Sequence, residues 1–259
     1  MFKTVPHKGN EFIALEEKIN KCQSIDDLFD LWKNAHKVLS DECFKMTVPV
    51  VSDTLGIDYS FMRNFFYKDG MLYKMKYGKN GKKILVLLKE SNAEDDIKNK
   101  NCRDRFWFQE IYKNNPDNIY VKRIFGIVNK IDSNATLDNI AYMNLNKHGG
   151  YGTTNKTQFT NYVKTYNKFI RKQIEFLDPD IIVCFGVYDV FIRYVIGAKV
   201  NVRRKFIDGS KYSYRYTKLE TPDKVVEIYH MYHPVPVYKN GNLKSDRFYV
   251  DLFEKLYFE

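Results

Sequence analysis

Residues 159–186 read FTNYVKTYNKFIRKQIEFLDPDIIVCFG, and a change of pattern inside this stretch decides the fold. Phe159, Tyr162, Val163, Tyr166, Phe169, Ile170, Ile174 and Leu177 recur every three or four residues, the spacing of one buried helix face. Asp178-Pro179 must end that helix, because proline has no N–H to donate and its ring clashes with the preceding turn. The apolar run Ile181–Phe185 that follows is rich in branched and aromatic residues, which marks a strand, and Gly186 closes it.

Similar runs lie at residues 84–88, 140–145 and 225–232, with connections long enough for crossovers. Strands alternating with helices predict an α/β fold: a three-layer αβα arrangement with a four-stranded, mostly parallel central sheet. Residues 1–80 read differently, as an N-terminal helical and hairpin extension. Residues 11–22 have helical spacing, and Ser24 with Asp27 forms a capping box before Leu28, Leu31, Trp32, Ala35 and Leu39. Turns at Asp69-Gly70 and Asn80-Gly81 join short strands. The second turn divides the chain into the extension, 1–80, and an α/β domain, 81–259.

The chain has 259 residues, 44% hydrophobic and 29% charged, enough apolar side chain for a packed core and too much for disorder. No apolar stretch approaches the ~20 residues of a membrane span, and the first residues lack a secretory pattern, so the expected location is cytoplasmic. Cys22, Cys43, Cys102 and Cys184 are scattered without a C-x-x-C pair, which predicts reduced packing residues and neither metal nor cofactor. The net charge is +10. Up to Asn80 there are 12 basic and 11 acidic residues, and beyond it 30 and 21. A positive second part suits a polyanionic partner, and the 20 Tyr and 19 Phe supply rings for stacking on bases as well as for a core.

Residues 199–218 concentrate that charge, with seven basic residues and one acid, and turn at Asp208-Gly209. They read as a basic hairpin with Tyr212, Tyr214 and Tyr216 on one face and Lys211, Ser213 and Arg215 on the other. Arg203, Arg204, Lys211 and Arg215 are its candidates for DNA phosphates; the plainer reading is a hairpin packed through its tyrosines.

In open parallel sheets ligands bind at the carboxyl ends of the strands. There the sequence places residues 89–96 (KESNAEDD), 144–150 (NLNKHGG), 186–188 (GVY) and 230–234 (HMYHP). This order resembles the uracil-DNA glycosylase superfamily over roughly residues 82–240. It is most similar to the branch with a Gly-Glu-Ala-Pro-Gly type loop after strand one and an Asn, then a Lys, at strand two. Asn144-Leu145-Asn146-Lys147, residues 179–186 and His233-Pro234 carry the likeness.

The resemblance implies that Glu90 positions a water or stabilises a cationic sugar, that Asn144 reads the base edge, and that His233 stabilises the leaving base. Glycosidic cleavage needs such a set, since positive charge builds on the sugar and negative charge on the base. It also implies a flipped base stacked on a ring, for which Phe106, Trp107 and Phe108 stand near, and a wedge after the histidine, at Val235 or Tyr238. Lys147 joins the phosphate candidates. Lys89, Ser91 and Asn92 replace small and proline residues of the family loop, so a wider, modified pyrimidine is expected rather than plain uracil, as in branches that attack phage DNA. Ser91 then joins the base pocket, and Asn92, Glu94 and Asp95 are alternatives to Glu90 if the loop alignment shifts. His148 stands where cluster-bearing relatives tend to have cysteine, so no iron–sulfur centre is implied.

Three function classes follow: a monomeric, metal-independent DNA glycosylase acting on double-stranded DNA; a metal-dependent nuclease using Glu90, Asp95, Asp96 and Glu110; and a DNA-binding module without chemistry.

Overall fold

The computed structural model of the chain describes residues 7–48, 59–71, 74–79, 81–99, 108, 117–150, 154–197, 200–206, 213–234, 250–251, 253–254 and 257. Helices α1 (Asn10–Lys18), α2 (Ile25–Val38), α3 (Asp41–Lys45) and α4 (Tyr59–Met62) precede a two-residue strand, β1 (Gly70–Met71). Then come β2 (Ile84–Asn92), α5 (Glu94–Lys98), α6 (Ile119–Ile131), β3 (Ala141–Gly150), α7 (Lys156–Thr165), α8 (Asn167–Leu177) and β4 (Ile181–Phe185). After them lie α9 (Tyr188–Phe191), which runs into a π-helical turn at Ile192–Ile196, and strands β5 (Val202–Phe206), β6 (Ser213–Glu220) and β7 (Val225–Met231).

The fold is α/β. All four strands read from the hydrophobic pattern are present and pair in parallel in the order β3-β2-β4-β7. The sheet itself has seven strands among the described residues, not the expected four. A parallel block of four leaves unpaired N–H and C=O groups along both outer strands. Antiparallel β1 covers part of β3, and the β5–β6 hairpin covers β7.

The two-residue period of β2 sorts its side chains between two cores. Ile84, Val86 and Leu88 pack with Ile124, Ile127 and Val128 of α6, whereas Leu85 and Leu87 belong to the cluster formed by α1, α2, α7 and α8. The described buried apolar residues of the extension share one core cluster with α7, α8 and the sheet. Trp32 of α2 stacks on Phe169 of α8 at 5.5 Å, and Phe12 of α1 meets the edge of Tyr166 at 5.5 Å. Fully burying a large apolar side chain stabilises by roughly 1.5–3 kcal/mol, so these aromatics tie α1 and α2 to α8 and the Tyr166 junction before it. The capping box opens α2 as expected: the Asp27 N–H donates to Ser24 Oγ and the Ser24 N–H to the Asp27 carboxylate.

The helix read over residues 159–177 is two helices, with Tyr166 leaving helical geometry between them, and it ends where Asp178 takes a left-handed conformation before Pro179. Cys43 and Cys184 are buried packing residues. Among the described residues no helix is long and apolar enough to cross a membrane, and no group of three His, Cys, Asp or Glu is placed to hold a metal ion.

Two histidines lie inside this core. The rings of His36 and His148 stack at 3.8 Å, and His36 Nε2 is 2.8 Å from the Tyr162 hydroxyl. Burial disfavours the imidazolium, pushing His148 down to about 3 and holding His36 well below the usual range. The unfolded chain therefore takes up more protons than the folded one as the pH falls through about 6.5, and stability drops with it. Differential scanning calorimetry should show the melting temperature falling between about pH 7 and 5, with a shallower slope in His148→Phe. Equal slopes for the two proteins would contradict this.

Candidate functional site

The carboxyl ends of β2, β3, β4 and β7 meet along one edge of the sheet. Strands β2 and β3 continue through their polar ends because they pair with each other, Leu88 opposite Asn144 and Glu90 opposite Asn146. The register then slips between Glu90 and Asn92, so that Asn92 faces Gly150. Such a bulge re-aims the side chains around it.

Glu90 sits inside this irregularity. Its Oε2 accepts from Asn146 Nδ2 at 2.8 Å, and Asn146 Oδ1 in turn accepts the His148 N–H at 2.9 Å. Burial raises the Glu90 carboxyl above the ordinary glutamate range, opposed by hydrogen bonds from Thr154 and Asn146 and by the charge of Lys89. Gly150 makes room for it. A Cβ there would collide with the Glu90 carboxylate. Gly150→Ala is therefore expected to displace the carboxylate from Asn146 and lower any activity that depends on Glu90, with little change in melting temperature, measured by turnover and calorimetry on one preparation. Undiminished turnover would show that Glu90 does not act from this position.

On the other side of β2, Gly186 at the end of β4 has φ +72, a conformation that favours glycine. A Cβ there would lie 3.3 Å from His233 Cβ and 3.4 Å from Lys89 Cε, so the glycine lets both approach. Burial, then the charge of Lys89, pushes His233 down to about 4. Its imidazole is neutral near neutral pH. Helix α6 holds this segment: Tyr120 packs on the His233 ring at 5.7 Å and Arg123 Nη1 donates to the Pro234 carbonyl at 2.6 Å.

Asn144 is 1% exposed. Its Nδ2 donates to Ser91 Oγ at 2.9 Å and to the Tyr142 hydroxyl at 2.6 Å, while its Oδ1 is buried without a partner among the described residues. Phe108 stacks on Tyr142 at 4.2 Å as a packed core ring.

Several expected roles change. Lys147 is fully buried and paired with Asp69 at 2.5 and 2.6 Å, so it does not face DNA phosphates. Asn92 is exposed and its Oδ1 accepts the Glu94 N–H at 3.2 Å, a loop cap apart from Glu90. Glu94 pairs with Lys98 and Asp95 is exposed on α5, so among the described acids of residues 89–96 it is Glu90 that meets Asn146. Asp96 accepts from the Tyr67 hydroxyl at 2.7 Å.

In the hairpin, Arg215 grips the Asp189 carboxylate with two nitrogens and is already charge-compensated. Arg203 and Arg204 are exposed on opposite faces, Arg203 donating to the Tyr216 hydroxyl at 2.9 Å and Arg204 standing opposite Arg215. The hairpin's arginines therefore do not form one basic face. Phe106, Trp107, Glu110, Lys211, Val235 and Tyr238 lie outside the described residues.

Sequence reasoning missed Asn146, Thr154, Tyr120 and Asp69. Only Asn146 had a signal, since the two-residue period of a strand puts it on the face of Asn144. A separate cleft of about 390 Å³, lined by Arg171, Asp178, Ile182, Val195 and Lys224, opens at the opposite ends of β4 and β7. No protein-family model matches the chain, and no curated protein matches it in sequence.

Proposed function

We propose that the chain is a monofunctional DNA glycosylase that hydrolyses the N-glycosidic bond of a flipped-out, modified pyrimidine and leaves an abasic site. One observation supports the reading: Glu90 in the last third of β2, Asn144 on the adjacent β3 and His233 two residues beyond β7 belong to one parallel block, from whose carboxyl side the resemblance to uracil-DNA glycosylases draws its residues. Their environments suit the chemistry. A carboxyl raised by burial is poised for work nearer neutral pH than a free glutamate. Ionised, Glu90 stabilises the cationic sugar or orients water toward it. His233 is uncharged and donates an N–H to the base as negative charge gathers there.

The nuclease reading has less support, because Asp96 is engaged by Tyr67 and Asp95 is exposed on α5, and among the described residues neither forms a three-ligand group with Glu90. The test is an abasic-site assay with EDTA present, on DNAs carrying uracil, cytosine, hydroxymethylcytosine or glucosylated hydroxymethylcytosine, followed by alkaline cleavage. Product from a modified substrate, absent with Glu90→Gln, supports the proposal. Binding of the same DNAs without product leaves a DNA-binding module instead.

A further inference from the structure

We propose that Asp69 is a positioning residue for Asn144, brought to the site by the N-terminal part of the chain and locked there by Lys147. The inference rests on the reading of Asn144 as the base-contacting amide. Strand β1 ends its pairing with β3 at Gly70 opposite Tyr142, two residues before Asn144. At that point the Asp69 side chain takes over from a neighbouring backbone. Its Oδ2 accepts the Asn144 N–H at 2.7 Å, while Lys147 Nζ donates to the Asn144 carbonyl at 2.9 Å. Lys147 and Asp69 are joined to each other, and Gln173 Nε2 donates to Asp69 Oδ1 at 2.7 Å. One buried ion pair thus holds Asn144 by both its own peptide groups.

The clamp acts on a residue with one polar atom to offer. With Nδ2 committed to Ser91 and Tyr142, Oδ1 is left buried and, among the described residues, unpartnered. A buried carbonyl oxygen without a donor is unfavourable, and such orphans concentrate where a ligand completes the bonding. The base it fits presents a hydrogen-bond donor, an exocyclic amino group or a ring N–H. Carboxylate and ammonium on either side of the peptide keep that acceptor in register while a base enters; neutral groups hold it more loosely.

The test uses the full chain with Asp69→Asn combined with Lys147→Met, which removes both charges and leaves none buried alone. Hydrogen exchange across residues 141–150 is measured by mass spectrometry, and kcat, KM and affinity for unmodified DNA are measured beside it. We expect a folded protein with faster exchange at Asn144, unchanged DNA affinity and a kcat lowered by about tenfold or more at constant KM. A folded double variant with wild-type exchange and wild-type kcat overturns the proposal. If the wild-type chain excises no base, the glycosylase reading fails by itself, and exchange at Asn144 still decides the clamp. Should the double variant not fold, Gln173→Leu, which removes one donor to Asp69, is read in the same way with a smaller loss expected.

Discussion

Glu90→Gln is expected to abolish most base excision, lowering kcat by roughly 10²–10⁴-fold while leaving DNA affinity unchanged. The substitution keeps the side chain's shape and its acceptor toward Asn146 Nδ2, 2.8 Å away in the wild-type protein, and removes only the charge. What is lost is therefore the stabilisation of a cationic sugar or the orientation of water. The pH dependence carries the same information. Because burial raises the Glu90 carboxyl, the active carboxylate form is lost as the pH falls through that raised value, higher than for a free glutamate. Single-turnover rates should climb with pH through this range and then level, and the residual Glu90→Gln rate should not show the step. Retention of the step in Glu90→Gln would assign it to another group. Burial, then the charge of Lys89, pushes His233 down to about 4, so its own ionisation adds no second step near neutrality.

Lys147→Met alone should lower stability by about 3–5 kcal/mol, because it leaves the Asp69 carboxylate buried without its cation. Both side chains are almost wholly inaccessible, at 0% and 1% exposure. For a chain of this size the loss corresponds to a fall in melting temperature of roughly 10 °C. Burial already pushes Asp69 upward against the pull of Lys147; without the lysine its folded-state value rises further above the unfolded one. The variant should then be more stable at mildly acidic than at neutral pH as far as Asp69 is concerned, since protonation removes the buried charge. Adding Asp69→Asn should restore much of the loss. Melting curves for the single and double variants decide it: equal destabilisation by both would mean that packing, not charge, sets the effect.

Lys147 shows why part of the site was not legible in the sequence. Its neighbours Asn144 and Asn146 have the spacing of a strand end, and a lysine there reads as a phosphate contact. Its partner is Asp69, 78 positions earlier in a segment whose local pattern announces only a turn. Arg215 is similar: the strand period places it on the face opposite Tyr216, yet the Asp189 carboxylate that neutralises it comes from α9. Phe108 was one of three rings available for stacking on a base, and packing on Tyr142 makes it part of the core.

What residues 159–186 and the three other apolar runs determined alone was the α/β class, the four parallel strands and the edge on which Glu90, Asn144 and His233 fall. The capping box of α2 and the stop at Asp178-Pro179 were equally local, because helix spacing, capping and proline chemistry act within a few residues. Tertiary structure decided the seven-stranded sheet, the burial of the extension against α8, the slip that seats Glu90 over Gly150, and the ion pair that holds Asn144. Each depends on which distant side chain or strand edge arrives alongside, and hydrogen bonds and buried charges are satisfied by proximity in space, which periodicity does not encode.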